Sequence, residues 1–328
     1  MSLPASLHGR LALPAVAAPM FLVSGPDLVV ESCRAGVIGT FPALNQRSSE
    51  GYEAWLDEIE TRLAAAEANG ESPAPYGINL IVHKTNPRVG ADLELTVKHR
   101  VPLVITSLGA NTEVVDAVHG YGGLVFHDVI NMRHAEKAAA AGVDGLIAVC
   151  AGAGGHAGML SPFALVSEIR GFFDKTILLS GAISDGRQVA AALMMGADLA
   201  YLGTRFIATR ESLAAEGFKR MIVEGRAADI VYTPAISGVH GNFMRRSMID
   251  AGLDPENLPP KPDMNMDRSD REKRAWKHIW SAGQGIGTID DVPSVAELCA
   301  RLKREFESAR IDFTPAAAMP RRAAASVA

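Results

Sequence analysis

The sequence predicts a (β/α)8 barrel with a C-terminal helical cap segment, and three observations lead there. Eight short apolar runs recur along the first two-thirds of the chain, each of strand length and bounded by Gly, Pro or Asp. Most of the runs lack alternation, the pattern of strands buried on both faces of a parallel sheet. Amphipathic helical patterns fill the intervals, and β–α alternation sustained over about 200 residues argues for closure into a barrel. An open doubly wound sheet is the competing arrangement.

The elements follow in order. "LPAVAAPM" (13–20) supplies the first strand; Pro14 and Pro19 break what would otherwise read as a signal peptide, and only one Arg precedes it. "GVIGTF" (36–41) is the second strand, followed by a helix over 50–69 that Gly70 terminates. "YGINLIV" (76–82) and "PLVITSL" (102–108) flank a helix over 88–99. A helix over 112–120 stops at Gly120 before "GGLVFHDV" (122–129), and one over 132–141 stops at Gly142 before "DGLIAVC" (144–150). Ser161-Pro162 offers an N-cap and an N1 proline to a helix over 161–173. "TILLSGA" (176–182), a helix over 186–195 with Gly196 behind it, and "DLAYLGTRF" (198–206) complete the set.

After Phe206 the rhythm stops. Residues 1–212 are expected to form the barrel, completed by a returning helix within 290–312. Residues 213–289 read as a cap with helical patches at 213–224, 240–251 and 270–280, a Pro-rich break "DPENLPPKPDMNMD", and no ninth strand. Residues 313–328 read as a frayed tail.

Composition narrows the function classes. At 48% hydrophobic and 21% charged residues, the 328-residue chain can bury a large core. A net charge of −5 gives no electrostatic case for nucleic acid or an acidic membrane surface. Three scattered cysteines, Cys33, Cys150 and Cys299, make neither a disulfide framework nor a CxxC site and point to a reducing, cytoplasmic setting. No apolar run has the length of a membrane span.

In such a barrel the chemistry sits at the strands' C-terminal ends, and the loops after the last two strands often take phosphate. "SGAISDG" (180–186) and "LGTRF" (202–206) end those strands, so Gly181, Ala182, Gly203 and Thr204 offer backbone N–H groups and a hydroxyl to an anion. Ordinary turn chemistry explains either motif alone; their adjacency favours a phosphate site. Gly152-x-Gly154-x-x-Ala157 fits a degenerate dinucleotide fingerprint with Asp174 downstream, but no helix can start before Ser161-Pro162, so that reading fails. The stretch "CAGAGGHAG" (150–158) strips away side chains around one imidazole, His156. An imidazole with a near-neutral pKa can take a proton, although a lone loop histidine is more commonly just solvated. His127 and His134 lack the spacing for a shared metal, and no metal is expected.

"APM" (18–20), "GINL" (77–80), "AGGHAG" (153–158), "SGAISDG", "LGTRF" and "AGQGIG" (282–287) occur in that order. Together they resemble the nitronate monooxygenase (formerly 2-nitropropane dioxygenase) family of FMN-dependent barrel enzymes over about residues 12–310. Flavin-dependent enoyl-ACP reductases and NADH:quinone reductases share that barrel. The resemblance implies FMN at the barrel mouth beneath the cap. Ala18, Pro19 and Met20 would lie along its ring, and Asn79, Asp128, Gly155, Gly158 and Gln284 would contact it. Its phosphate would rest on Ser180, Gly181, Ala182, Gly203 and Thr204. His156 matches the family's catalytic histidine, for which the resemblance implies either removal of a proton from the α-carbon of a nitroalkane or an interaction with the nitro group; a nitronate needs no base.

Two departures stand out: Asp128 replaces a lysine found in some relatives, and Ala182 replaces a glycine, which is tolerable at negative φ. The implied reaction is oxidation of alkyl nitronates by O2. An NAD(P)H-dependent quinone or enoyl reductase is the alternative, and a non-redox phosphate-ligand barrel the third reading. Expected partners are a small-molecule substrate and O2, with a homodimer as the assembly to test.

Overall fold

A computed structural model describes residues 2–261 and 279–312, the last three as backbone alone. Eight parallel strands close into a barrel in the order β1 (Ala15–Ala17), β2 (Ile38–Pro42), β3 (Gly77–Ile81), β4 (Leu103–Ser107), β5 (Leu124–Val129), β6 (Gly145–Val149), β8 (Thr176–Ser180) and β9 (Leu199–Leu202). Val16 pairs with Ile38 on one side and Tyr201 on the other, and this closure excludes the open sheet. The wrapping helices are α1 (Pro26–Arg34), α2 (Ser49–Ala68), α3 (Val89–Lys98), α4 (Thr112–His119), α5 (Met132–Ala140), α6 (Pro162–Arg170) and α7 (Gly186–Met194).

The chain signals act largely as chemistry dictates. Asp185 and Gln188 form a capping box at the start of α7. Pro162 occupies the first turn of α6, although Ser161 makes no side-chain cap bond there. After α4 the left-handed residue is Gly122 (φ +86°) rather than the expected Gly120, which stays helical at φ −56°.

Strand parity separates two apolar layers. Val16, Ile38, Leu103, Ile105, Phe126, Ile147, Leu178 and Leu199 fill the barrel lumen. Their sequence neighbours, such as Val104, Val125, Leu146, Ile177 and Ala200, pack outward against the helices. Leu3, Leu7 and Leu11 close the lumen at the strands' N-terminal end. The C-terminal helix α11 (Val295–Asp312) lies against α7 and α1, with Glu305 accepting from the Gly186 N–H at 2.8 Å.

The segment after β9 departs from the expectation of a purely helical cap. It begins with the short α8 (Thr204–Ile207), α9 (Glu216–Glu224) and α10 (Arg245–Asp250). Between α9 and α10, however, β10 (Ile230–Thr233) and β11 (Gly241–Met244) pair antiparallel. β11 also pairs with β7 (Gly155–His156), so the glycine-rich loop after β6 is the third strand of the cap sheet. Part of the patch expected to be helical at 240–251 is therefore extended. Asn242 and Phe243 are both buried, on opposite faces of β11, and a strand buried on both sides shows no alternation to read. The helical patch at 270–280 falls almost wholly outside the described residues.

Candidate active site

The parity that fills the lumen also builds its upper floor. Counting up from Phe126 and Ile105 by two residues brings Asp128 and Ser107 to the C-terminal mouth, beside Asn79, Val149, Ser180 and Tyr201. Exposure changes with height: Ile147, Leu178 and Leu199 are 0% exposed, whereas Val149 and Ser180 reach 8% and Tyr201 9%. The mouth is thus an open floor above a packed plug.

A hydrogen-bonded chain crosses that floor. Asn79 Nδ2 donates to Ser107 Oγ at 2.7 Å and to the Ile105 carbonyl at 3.1 Å, and Ser107 Oγ donates to Asp128 Oδ2. Burial pushes the Asp128 carboxyl up to about 6, and the Ser107 bond opposes that rise by favouring the anion. Asp128 therefore faces the mouth. Tyr201 stands close enough for the Asp128 charge to help push its phenol upward, after burial as the larger cause.

Four glycine-rich segments meet above the floor. Gln284 N–H donates to the Gly152 carbonyl at 2.8 Å, and Gly283 N–H donates to Thr204 Oγ1 at 2.8 Å. A Cβ on Gly283 would lie 2.5 Å from the Gly152 carbonyl, one on Gly154 2.8 Å from Gly283 N, and one on Gly285 2.9 Å from the Ala182 carbonyl carbon. Gly158 is likewise held small by the Val149 carbonyl, 2.6 Å from its would-be Cβ. These glycines are small because backbone packs on backbone. Gly155 and Gly203 are different: a Cβ at Gly155 would meet nothing within 4 Å, and one at Gly203 nothing nearer than 3.8 Å. That separates glycines that join loops from glycines that open on space.

The anion-binding candidates occupy the turns after β8 and β9. The N–H groups of Ala182 and Ile183 reach no acceptor among the described residues, and those of Thr204 and Arg205 belong to the first turn of α8, which has no intrahelical acceptor. Arg205 itself is buried and holds this turn through Asp291, which it pairs with at 2.9 Å and which also accepts from Arg301 on α11. Ala182 sits at φ +54°, contrary to the negative φ that its side chain would prefer. The turn after Gly181 demands the left-handed region regardless of residue. Ala18 donates its N–H to Leu202 O at 2.9 Å, and the Met20 thioether flanks Gly203 at 3.8 Å from its would-be Cβ, so the Ala18–Met20 segment edges the same mouth.

His156 lies on β7 above this mouth. Its ring keeps solvent-accessible surface, yet surrounding protein is dense enough for desolvation to push its pKa down to about 4. The cap sets its backbone: His156 pairs with Gly241, Ala157 N–H donates to His240 O at 3.2 Å, and Asn242 Nδ2 donates to Ala153 O at 2.6 Å. Tyr232 OH donates to Ala157 O at 3.0 Å while its ring stacks on His240 at 5.1 Å. Nearby Cys150 is no nucleophile, since burial raises its thiol to about 12. A cavity of about 290 Å3, lined by Leu7, Arg10, Glu60 and Tyr76, lies at the opposite end of the barrel and reaches none of these groups.

Sequence reasoning missed Ser107, Tyr201, Ser237 and Asn242. Ser107 and Tyr201 were readable only with the lumen-facing parity in hand. The cap residues carry no local signal at all.

This geometry meets its relatives in a sequence profile that matches residues 7–305, that of nitronate monooxygenase. The chain belongs to the nitronate monooxygenase family. A nitronate monooxygenase of Paraburkholderia phytofirmans is 26% identical, covering 90% of this chain and 92% of its own length. Among solved structures, nitroalkane oxidase from Streptomyces ansochromogenes superposes with a TM-score of 0.80 at 23% identity, over 94% of this chain and 100% of that one. FabK from Thermotoga maritima gives a TM-score of 0.75 at 22% identity, covering 92% and 95%. The two structural likenesses speak for the barrel; the family membership rests on the profile. Among the described residues of this family member, no helix is long and apolar enough to cross a membrane.

Proposed function

We propose that this nitronate monooxygenase family member is an FMN-dependent oxidoreductase that oxidises alkyl nitronates with O2, and deprotonates neutral nitroalkanes through His156. The observation that carries the reading is one mouth holding both an accessible imidazole and, on two adjacent turns, N–H donors that no acceptor among the described residues claims. The residues fit the cofactor. The N–H groups of Ala182, Ile183, Thr204 and Arg205 would receive a phosphate, with Ser180, Gly181 and Gly203 lining its approach. Gly155 and Gly203 leave room that a Cβ would occupy, and Ala18, Pro19, Met20, Asn79, Asp128 and Gln284 border the space left for a ring, whereas Gly158 packs on the Val149 carbonyl and shapes the loop instead. Bound FMN would supply the electron acceptor and the route to O2.

The protein's own work is positional and protonic. At neutral pH His156 is unprotonated and so can accept a proton; the desolvation that lowers its pKa to about 4 makes it a weaker base, which the negative charge of the nitronate forming beside it would offset. With a neutral nitroalkane the α-C–H bond breaks, the proton goes to the imidazole, and the electron pair stays on the nitro-stabilised carbon. A nitronate arrives already deprotonated and skips this step. The cap sheet pairs with the loop that carries His156, so it fixes where the base stands relative to the mouth.

The test is anaerobic mixing of the purified yellow protein with propionate-3-nitronate, NADH or NADPH. Loss of the flavin colour with the nitronate is expected; loss with a pyridine nucleotide alone would favour the quinone or enoyl reductase reading, and a colourless protein the non-redox one. His156→Asn should retain FMN and lose turnover of neutral nitroalkanes by about 10²-fold or more, with nitronates affected less.

A further inference from the structure

We propose that Ser237, a cap residue, is a positioning residue that fixes the His156 imidazole as its Nε2–H tautomer and makes Nδ1 the basic nitrogen. His156 Nε2 lies 3.2 Å from Ser237 Oγ, and Ser237 Oγ donates to the Val239 carbonyl at 3.0 Å. A serine hydroxyl has a single hydrogen. With that hydrogen on Val239, Oγ faces His156 as an acceptor only, so the hydrogen between them belongs to Nε2. The lone pair of the neutral ring is then on Nδ1.

The turn that presents Ser237 is itself constrained. Gly238 N–H donates to Pro234 O at 2.9 Å, Ala235 N–H donates to Thr233 Oγ1 at 3.1 Å, and Ser237 is 7% exposed. Beyond it, β11 pairs with β7, so the ring and the hydroxyl that orients it hang on one small sheet. The tautomer is therefore set from the cap and not from the barrel. When Nδ1 takes a proton, the Nε2–H bond to Ser237 becomes charge-assisted and strengthens as the imidazolium forms. The tautomer assignment stands on geometry alone; its catalytic consequence rests on the reading of His156 as the base.

The experiment has two arms that fail separately. Long-range 1H–15N correlation spectra of the full-length, 15N-histidine-labelled protein at pH 7.5 report the tautomer, with His156 assigned by its loss in His156→Gln. The Nε2–H pattern is expected in the unmodified protein, a tautomer mixture in Ser237→Ala, and the Nε2–H pattern again in Ser237→Thr. An Nδ1–H pattern in the unmodified protein, or no change in Ser237→Ala, overturns the proposal. In steady-state assays Ser237→Ala should lower kcat on a neutral nitroalkane about tenfold, corresponding to the loss of one hydrogen bond, with Ser237→Thr recovering most of it. A preformed nitronate should change less than about twofold, since it needs no base. Equal loss on both substrates would overturn the positioning role. Absence of turnover in the unmodified protein would sink the reading of the reaction while leaving the tautomer result to decide on its own.

Discussion

At the scale of single residues, the mouth holds two titratable groups with opposite displacements. Desolvation pushes His156 down to about 4 and Asp128 up to about 6, so each disfavours its charged form. Ser107 moderates only the second. Its one hydrogen goes to Asp128 while its lone pair accepts from Asn79, which stabilises the carboxylate. The consequence is a carboxyl that changes charge close to neutrality while facing the cofactor space. In 13C spectra of aspartate-labelled protein, one carboxyl should titrate near pH 6 and vanish in Asp128→Asn. Ser107→Ala should move that titration upward, because the bond favouring the anion is gone. A downward movement would show that the hydroxyl does not donate to Asp128.

At the scale of elements, the glycine-rich loop after β6 owes its shape to the cap. Asn242, 2% exposed, donates to Ala153 O, and β11 pairs with β7 across a sequence separation of about 85 residues. Asn242→Ala would leave a buried carbonyl short of its donor, at a cost of about 1–3 kcal/mol. Urea denaturation should register that loss. Hydrogen exchange should accelerate first in residues 152–158, ahead of the barrel strands, if the cap is what orders the loop. Uniform acceleration through β6 and β8 would instead make Asn242 a general core residue.

Across the whole molecule, buried imidazoles couple folding to pH. His127 points away from the lumen, is 4% exposed, and bonds Thr106 Oγ1 at 2.7 Å; burial lowers its pKa from 6.5 to about 4. Between those values the unfolded chain binds more protons than the folded one, so stability falls as pH drops through the window. The full shift corresponds to on the order of 3 kcal/mol. His156 acts in the same direction, but its solvent-accessible ring discounts the effect. Asp128 opposes both, since its raised pKa gives stability that is lost as pH rises through about 6. His127 and Asp128 therefore largely cancel between pH 4 and 6.5, and the test is differential: acidification from pH 6.5 to pH 4 should lower the thermal midpoint more in the unmodified protein than in His127→Gln. An equal pH dependence in the two proteins would refute the assignment.

The chain sequence by itself determined the barrel. Non-alternating runs such as "DGLIAVC" and "TILLSGA" need cover on both faces, and helices between them provide it, so the local pattern and the closed fold agree. It also marked the turns after β8 and β9 and the unshielded imidazole, because glycine spacing and the lack of neighbouring side chains are local facts. Tertiary structure alone decided the rest. A strand buried on both faces hides which parity faces the lumen, so the orientation of Asp128 and its link to Ser107 waited for the register. Ala182 was forced to positive φ by its turn, against its own preference. The tautomer of His156 depends on a hydroxyl about 80 residues away, and no local pattern encodes a contact made only when two distant strands pair.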